Sequence, residues 1–246
     1  MISVVICSVD ERKFSAVCEN YRHILDGEPM EIIGIHDAKS MCEGYNRGFS
    51  QSRGDVLIFC HDDIEIIAPD FSRKLRAHLE RFDVLGVAGT TRLVGPKWAQ
   101  AGPPYVFGQI AHIDEAQGCY YVLIWNAALP AHGSMQALDG VFLCVKRPVV
   151  ARIPFDEETF RGFHMYDLDF SYRAFRAGFR LAVCNDLPLI HASQARGFED
   201  DQWQKEAERF VRKHSETLAP DPSRQWQGAV VRVDSKEQLL EVLGGF

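Results

Sequence analysis

A chain of 246 residues is long enough for one large domain or two small ones, with roughly three quarters of its unfolded surface buried. Hydrophobic residues at 46% and charged residues at 25% match ordinary globular proteins, which excludes collagen-like, disordered and low-complexity architectures. The 27 Lys and Arg against 34 Asp and Glu leave a net charge of −7, so the chain lacks the basic footprint of a general nucleic-acid binder.

The N-terminal run Ile2 to Cys7 is apolar apart from Ser3, as in a strand buried on both faces. Phe14, Val17, Cys18, Tyr21 and Leu25 then recur at helical spacing, and Gly27 with Pro29 ends that helix. Glu31 to His36 reads as a second strand. The Gly-interrupted segment after it places Cys42, Tyr45 and Phe49 on one helical face. Asp55 to Cys60 is a third buried strand, Phe71, Leu75, Leu79 and Phe82 mark the next helix behind Pro69 and Asp70, and Val84 to Ala88 is a fourth strand. Strands alternating with helices in this way predict an α/β fold with a mostly parallel central sheet covered by helices on both faces.

From Thr90 to about Gln136 the pattern changes to Gly/Pro-rich loops around two extended stretches, Val106 to Ile113 and Tyr120 to Trp125, which predicts an inserted hairpin with functional loops. Leu138 to Lys146 is a strand, Asp167 to Ala177 a helix closed by Gly178, and Phe179 to Val183 a further strand. Trp203, Ala207, Phe210 and Val211 mark an amphipathic helix. After Pro220, AVVRV and KEQLLEVL form a short strand and helix. We therefore expect a main domain over 1–220, with a nucleotide-binding half (1–95) and an acceptor-side half (96–220), and a tail (221–246) packed on it.

Cys7, Cys18, Cys42, Cys60, Cys119, Cys144 and Cys184 have no CxxC spacing and mostly sit in apolar runs, which predicts free thiols in a reducing compartment. The N-terminus lacks the basic start of a signal peptide, and no apolar run approaches the roughly 18 residues that span a bilayer. A cytoplasmic protein, at most peripheral to a membrane, is expected.

Three clusters carry chemistry. His61-Asp62-Asp63 follows the strand VLIFC directly, at the sheet edge where open α/β folds bind ligands. Two acids there suit Mg²⁺ or Mn²⁺ against a pyrophosphate, although either could instead cap a turn. Asp167 and Asp169 stand at a helix start, where capping alone would account for both. The preceding Phe163, His164, Met165 and Tyr166 would also place Asp167 in a partly apolar pocket that raises its basicity, making it a candidate general base. His191, in Ile190-His191-Ala192-Ser193, is either a satisfied core histidine or an imidazole ligand better suited to Mn²⁺ than to Mg²⁺. Trp98, Trp125 and the aromatics around Tyr120 are either core or a sugar-stacking wall, and Arg173, Arg176 and Arg180 read as a solvated helix face and its exit.

The order of YNRGFSQSRGDVLIFCHDDIEI, LDGVFLCVKR, FHMYDLDFSYRAFRAGFRLAV and LIHAS behind a strand-helix-strand start resembles the GT-A glycosyltransferases of the family 2 type, over about residues 1 to 200. The resemblance implies a metal-dependent transfer of a sugar from a nucleotide-diphospho sugar, with a UDP-sugar as the expected donor, to a carbohydrate, lipid-linked or protein acceptor hydroxyl, with inversion. It makes His61-Asp62-Asp63 the counterpart of the DXD motif, with Asp63 as metal ligand and Asp62 nearer the ribose or diphosphate. It gives Asp37 to the nucleobase, Asp139 and Gly140 to the border of the sugar and acceptor pocket, Asp167 to the general base and His191 to the metal shell. The chain departs from the family pattern in three places. The first strand runs into Cys7-Ser8-Val9-Asp10 where a Pro-x-Tyr-Asn-like segment is usual, His61 stands for the leading acid, and Tyr166 stands for the Glu before the catalytic Asp. The rival readings are an inactive nucleotide-sugar or glycan binding module and a metal-dependent nucleotidyltransferase, although SVDERKFS lacks the glycines that the latter usually carries after its first strand.

Overall fold

The structure, a computed structural model, describes residues 1–192, 200–221 and 228–244. Its strands are β1 (Ile2–Cys7), β2 (Met30–Ile35), β3 (Val56–Cys60), β4 (Ile64–Ile66), β5 (Val84–Gly86), β6 (Ala88–Thr90), β7 (Val106–Asp114), β8 (Cys119–Trp125), β9 (Ala131–His132), β10 (Ala137–Leu138), β11 (Phe142–Lys146), β12 (Leu181–Cys184), β13 (Leu189–His191) and β14 (Ala229–Val233). The helices are α1 (Glu11–Ile24), α2 (Met41–Gln51), α3 (Phe71–Arg81), α4 (Arg147–Arg152), α5 (Tyr166–Arg176), α6 (Asp201–His214) and α7 (Lys236–Leu243).

The main sheet runs β2-β1-β3-β11-β5-β12-β9. It is parallel across β2-β1-β3 and at β5-β12, and β11 lies antiparallel between those blocks. The apolar runs of β1 and β3, broken only by the buried Ser3, follow from cover on both faces. Val4, Ile6 and Ile58 pack with Val17 and Tyr21 of α1 and Leu75 of α3, while Val5, Leu57 and Phe59 pack with Tyr45 of α2 and Phe170 of α5. Asp10 caps α1 by accepting from the Arg12 and Lys13 amides, and Ser40 caps α2 by accepting from the Glu43 amide.

The second sheet is built on β7, which pairs with β6 and β13 along one edge and with β8 along the other. The expected hairpin is thus β7-β8, and its far edge is covered by β14 from the tail. Leu239 and Leu243 of α7 are buried with Ala111 and Val122. The predicted strand Val84 to Ala88 is two strands in different sheets, because the chain crosses between them at Val87. The predicted strand Leu138 to Lys146 likewise breaks at Asp139-Gly140-Val141 into β10 and β11.

The helix carrying Asp167 is tied to α6 through Asp169, which is 1% exposed. Asp169 accepts from Arg173 Nε at 2.7 Å and lies 2.8 Å from His214 Nε2 and 2.6 Å from Lys213 Nζ. Arg173 is therefore part of this buried cluster, with a further bond to the Pro154 carbonyl, and not simply a solvated face. Burial alone would raise the Asp169 pKa, but His214, Arg173 and Lys213 outweigh it and hold it below the usual carboxylate range. A carboxyl depressed in this way stabilises the fold above its unfolded pKa of about 4, and that contribution disappears as the pH falls through the folded value. Asp169→Ala leaves Arg173, Lys213 and His214 without the buried carboxylate they share and is expected to destabilise the protein by about 3 to 5 kcal/mol in denaturant unfolding at pH 7. A loss below 1 kcal/mol would mean that α6 is held by packing alone.

Candidate active site

Strand registers bring the three sequence clusters together. β3 ends at Cys60, opposite Phe142 of β11, and the His61 amide donates to the Val141 carbonyl at 3.2 Å, so the Asp139-Gly140-Val141 break lies against His61. β13 runs antiparallel to β4 with His191 beside Ile64, and the Ala192 amide donates to the Asp63 carbonyl at 2.8 Å. That pairing carries His191 across 130 residues of sequence to His61, with His61 Nδ1 and His191 Nε2 3.2 Å apart. His191 Nε2 is also 3.2 Å from Asp63 Oδ1. Ser193 of the LIHAS segment lies outside the described residues.

His61, Asp63 and His191 each offer one ligand atom, and these atoms all lie within 4.8 Å of one another. Two ligands that each approach an ion at about 2.1 Å are separated by roughly 3.0 to 3.4 Å in octahedral or tetrahedral geometry, so both 3.2 Å separations fit a common cation. Burial, and then the charge of His191, lower the His61 pKa, which favours the neutral imidazole that ligates metals. Burial opposes ionisation of Asp63, but the hydrogen bond to His191 and the charges of His191, His61 and Lys13 outweigh it and hold the carboxyl well below its ordinary range. Lys13 Nζ reaches Asp63 Oδ2 at 3.4 Å.

Asp167 sits in the first turn of α5, facing the same space. The residue before the helix, Met165, is buried in a left-handed conformation (φ 61°), a local strain of order 1 kcal/mol that redirects the chain into the helix. The Gly140 amide donates to Asp167 Oδ2 at 2.8 Å. Burial, and then the nearby Asp139, raise the Asp167 pKa to about 7 despite hydrogen bonds from the backbone amides of Leu168, Asp167 and Gly140. Asp139 is itself fixed by the Trp98 indole, which donates to Oδ2 at 2.6 Å, and by the Val141 amide, which donates to Oδ1 at 2.9 Å.

His61, Asp63, Asp139, Gly140, Asp167 and His191 line one cavity of about 640 Å³, within the range of small-molecule sites. Trp98 and Trp125, packed edge to face at 5.1 Å, form part of its wall. Two expected residues are not in that wall. Asp62 turns away from the cavity lining and accepts from the Ser8 hydroxyl at 2.6 Å. Asp37 lies just past β2, largely exposed, with its carboxylate 2.8 Å from Arg47 Nη2. His61 and Tyr166 were legible only as departures from a family motif, and their part in the site comes from the registers that surround them.

The fold is that of the GT-A glycosyltransferases. Solved structures that share it include GalNAc-T7 with UDP, GalNAc and Mn²⁺, with a TM-score of 0.54 at 11% identity over 86% of this chain and 47% of that one. They also include the mannosyltransferase PcManGT from Pyrobaculum calidifontis in complex with GDP-Man and Mn²⁺, with a TM-score of 0.51 at 10% identity over 87% of this chain and 63% of that one. A mycobacterial protein matches with a TM-score of 0.50 at 15% identity over 94% of this chain and 83% of that one. The chain thus spans about half of the first of these and under two thirds of the second. No curated protein matches the sequence. The profile of the glycosyltransferase-like family matches residues 3–214, and the chain belongs to that family. Among the described residues no helix is long and apolar enough to cross a membrane.

Proposed function

We propose that the chain is a metal-dependent glycosyltransferase that moves a sugar from a nucleotide-diphospho sugar to an acceptor hydroxyl with inversion, using Asp167 as general base. The observation that carries this reading is the opening of a three-residue cation site and a carboxylate of pKa about 7 on one cavity. Metal-dependent inverting transfer uses these two functions side by side, and the separate environments of Asp63 and Asp167 push their pKa values in opposite directions.

Asp63 and His191, with His61, would hold Mn²⁺ or Mg²⁺, which supplies Lewis-acid neutralisation of the departing diphosphate. Asp167 accepts the proton of the acceptor hydroxyl as that oxygen bonds to the anomeric carbon. The bond from that carbon to the diphosphate oxygen breaks, and the nucleoside diphosphate leaves with the electron pair. The Gly140 amide fixes Oδ2 of Asp167 and so orients the carboxylate. Asp139 keeps Asp167 basic by its charge and borders the sugar pocket with Gly140 and the Trp98-Trp125 wall. Asp62, held by Ser8, is assigned to the ribose or diphosphate, and Asp37 to the nucleobase, with a UDP-sugar as donor.

A thermal-shift series of nucleoside diphosphates with and without Mn²⁺ tests the donor side. Ligand at about 100 times its dissociation constant adds roughly 2.7 kcal/mol of stability, and we expect that gain only when nucleotide and Mn²⁺ are both present. Absence of any stabilisation across the series would refute the proposal. Release of pyrophosphate in place of nucleoside diphosphate during turnover would move the chain to the nucleotidyltransferases.

A further inference from the structure

Two of the positions at which this chain departs from the glycosyltransferase pattern are joined in space. His61, in place of the leading acid, has its Nε2 2.9 Å from the hydroxyl of Tyr166, which stands in place of the acid before the base. The Tyr166 hydroxyl also donates to the Gly140 carbonyl at 3.2 Å. A phenol carries one hydrogen and a carbonyl can only accept, so the bond to Gly140 uses that hydrogen. The hydrogen between His61 and Tyr166 is therefore on His61 Nε2, and the lone pair of His61 is on Nδ1, the nitrogen 3.2 Å from His191 Nε2.

We propose that Tyr166 is a positioning residue that locks His61 in the tautomer of a third metal ligand, and that the resulting set of two imidazoles and one carboxylate selects Mn²⁺ or Co²⁺ over Mg²⁺. The proposal rests on the glycosyltransferase reading, since it concerns the ion of that reaction. Its basis is ligand chemistry. Mg²⁺ is hard, prefers carboxylate and water oxygens and gives up its hydration reluctantly, whereas imidazole nitrogen suits transition ions. An imidazole at position 61 offers a softer, neutral donor where an acid would offer a hard, anionic one, which favours Mn²⁺ or Co²⁺ over Mg²⁺. Tyr166 makes that donor usable. Without an acceptor at Nε2 the ring could place its hydrogen on Nδ1, and that hydrogen would block the lone pair.

The test is calorimetric titration of the metal-free full chain with MnCl₂, CoCl₂ and MgCl₂, with the visible absorption of bound Co²⁺ as a second readout. Wild type is expected to bind Mn²⁺ and Co²⁺ at least about tenfold more tightly than Mg²⁺. His61→Asp restores an acid and should bring the Mn²⁺ to Mg²⁺ ratio close to one. Tyr166→Phe keeps the ring and removes only the hydroxyl, so it should weaken Mn²⁺ and Co²⁺ by about 10- to 100-fold and alter the Co²⁺ spectrum. Equal affinities for Mg²⁺ and Mn²⁺ in wild type, an unchanged metal ratio in His61→Asp, or unchanged affinities and spectrum in Tyr166→Phe would each overturn the inference while leaving the metal-dependent reading in place. Failure of wild type to bind any of the three ions would overturn both. If Tyr166→Phe does not fold, the ¹⁵N chemical shifts of His61 in the metal-free wild type decide, a hydrogen on Nε2 supporting the inference and one on Nδ1 overturning it.

Discussion

Asp167→Asn is expected to reduce sugar transfer by about 10²- to 10⁴-fold, the usual contribution of a positioned base, while Mn²⁺-dependent nucleotide binding is retained. The amide keeps the shape of the carboxyl and can still accept from the Gly140 amide, but it cannot take the acceptor proton. Burial and the charge of Asp139 raise the Asp167 pKa to about 7, so its active, deprotonated form is lost as the pH drops through neutrality. kcat/KM should accordingly climb with pH along a limb near 7, and that limb should be missing from the residual activity of the variant. The same shift affects stability with the opposite sign to Asp169. A carboxyl whose folded pKa lies above its unfolded value binds more protons folded than unfolded between about pH 4 and 7, so this group makes the fold progressively less stable as the pH rises across that interval. Asp167→Asn should therefore melt at a higher temperature than wild type at pH 8, with the difference shrinking at pH 5. Steady-state kinetics, nucleotide titration and melting curves on one preparation separate these effects. Wild-type turnover in the variant would remove Asp167 from the mechanism.

The parts of the site that could be read in the sequence are those set by local pattern. The buried runs of β1 and β3, the helical spacing of α1 and α3 and the acids at the start of α5 all follow from side-chain periodicity, which is a property of a few consecutive residues. What could not be read was decided by partners far along the chain. Val84 to Ala88 is uniformly apolar, and nothing in it marks the crossing at Val87, because both sheets bury it equally well. β4 is three residues long and exists because β13 pairs with it. In the sequence His61 stood only as a departure from the family motif, for the same reason. Its use depends on His191, which is brought alongside by the β4-β13 register, and on Tyr166, which approaches from α5. Trp98 and Trp125 could be core or wall in the sequence, and in the structure they are both, Trp125 buried and Trp98 packed against the core while each lines the cavity.

Gly140→Ala is expected to be nearly as damaging to activity as loss of the base itself, although it adds a single methyl group away from the metal. A Cβ at Gly140 would stand 2.6 Å from the Tyr166 ring carbon that bears the hydroxyl and 2.7 Å from Asp167 Cβ. Neither neighbour can move aside without disturbing the site. The Tyr166 hydroxyl is bonded to both His61 and the Gly140 carbonyl, and Asp167 Cβ belongs to the first turn of a helix packed through Leu168 and Phe170. Relief by displacement of α5 would carry the Asp167 carboxylate off its line to the acceptor, and a shift of about 1 Å in a reacting group costs on the order of 100-fold in rate. Overpacking of this kind is expected to lower stability by about 1 to 3 kcal/mol. The kinetic loss should fall on kcat through the displaced Asp167, and Mn²⁺-dependent donor binding should weaken with it, because the Tyr166 hydroxyl that the new methyl group meets is bonded to His61. Crystallography or NMR of the variant should place the change at α5 and His61. A Gly140→Ala protein with wild-type kcat would show that the contact between the Asp139-Gly140-Val141 break and α5 is slack, and that the Gly140 amide is not what aims the base.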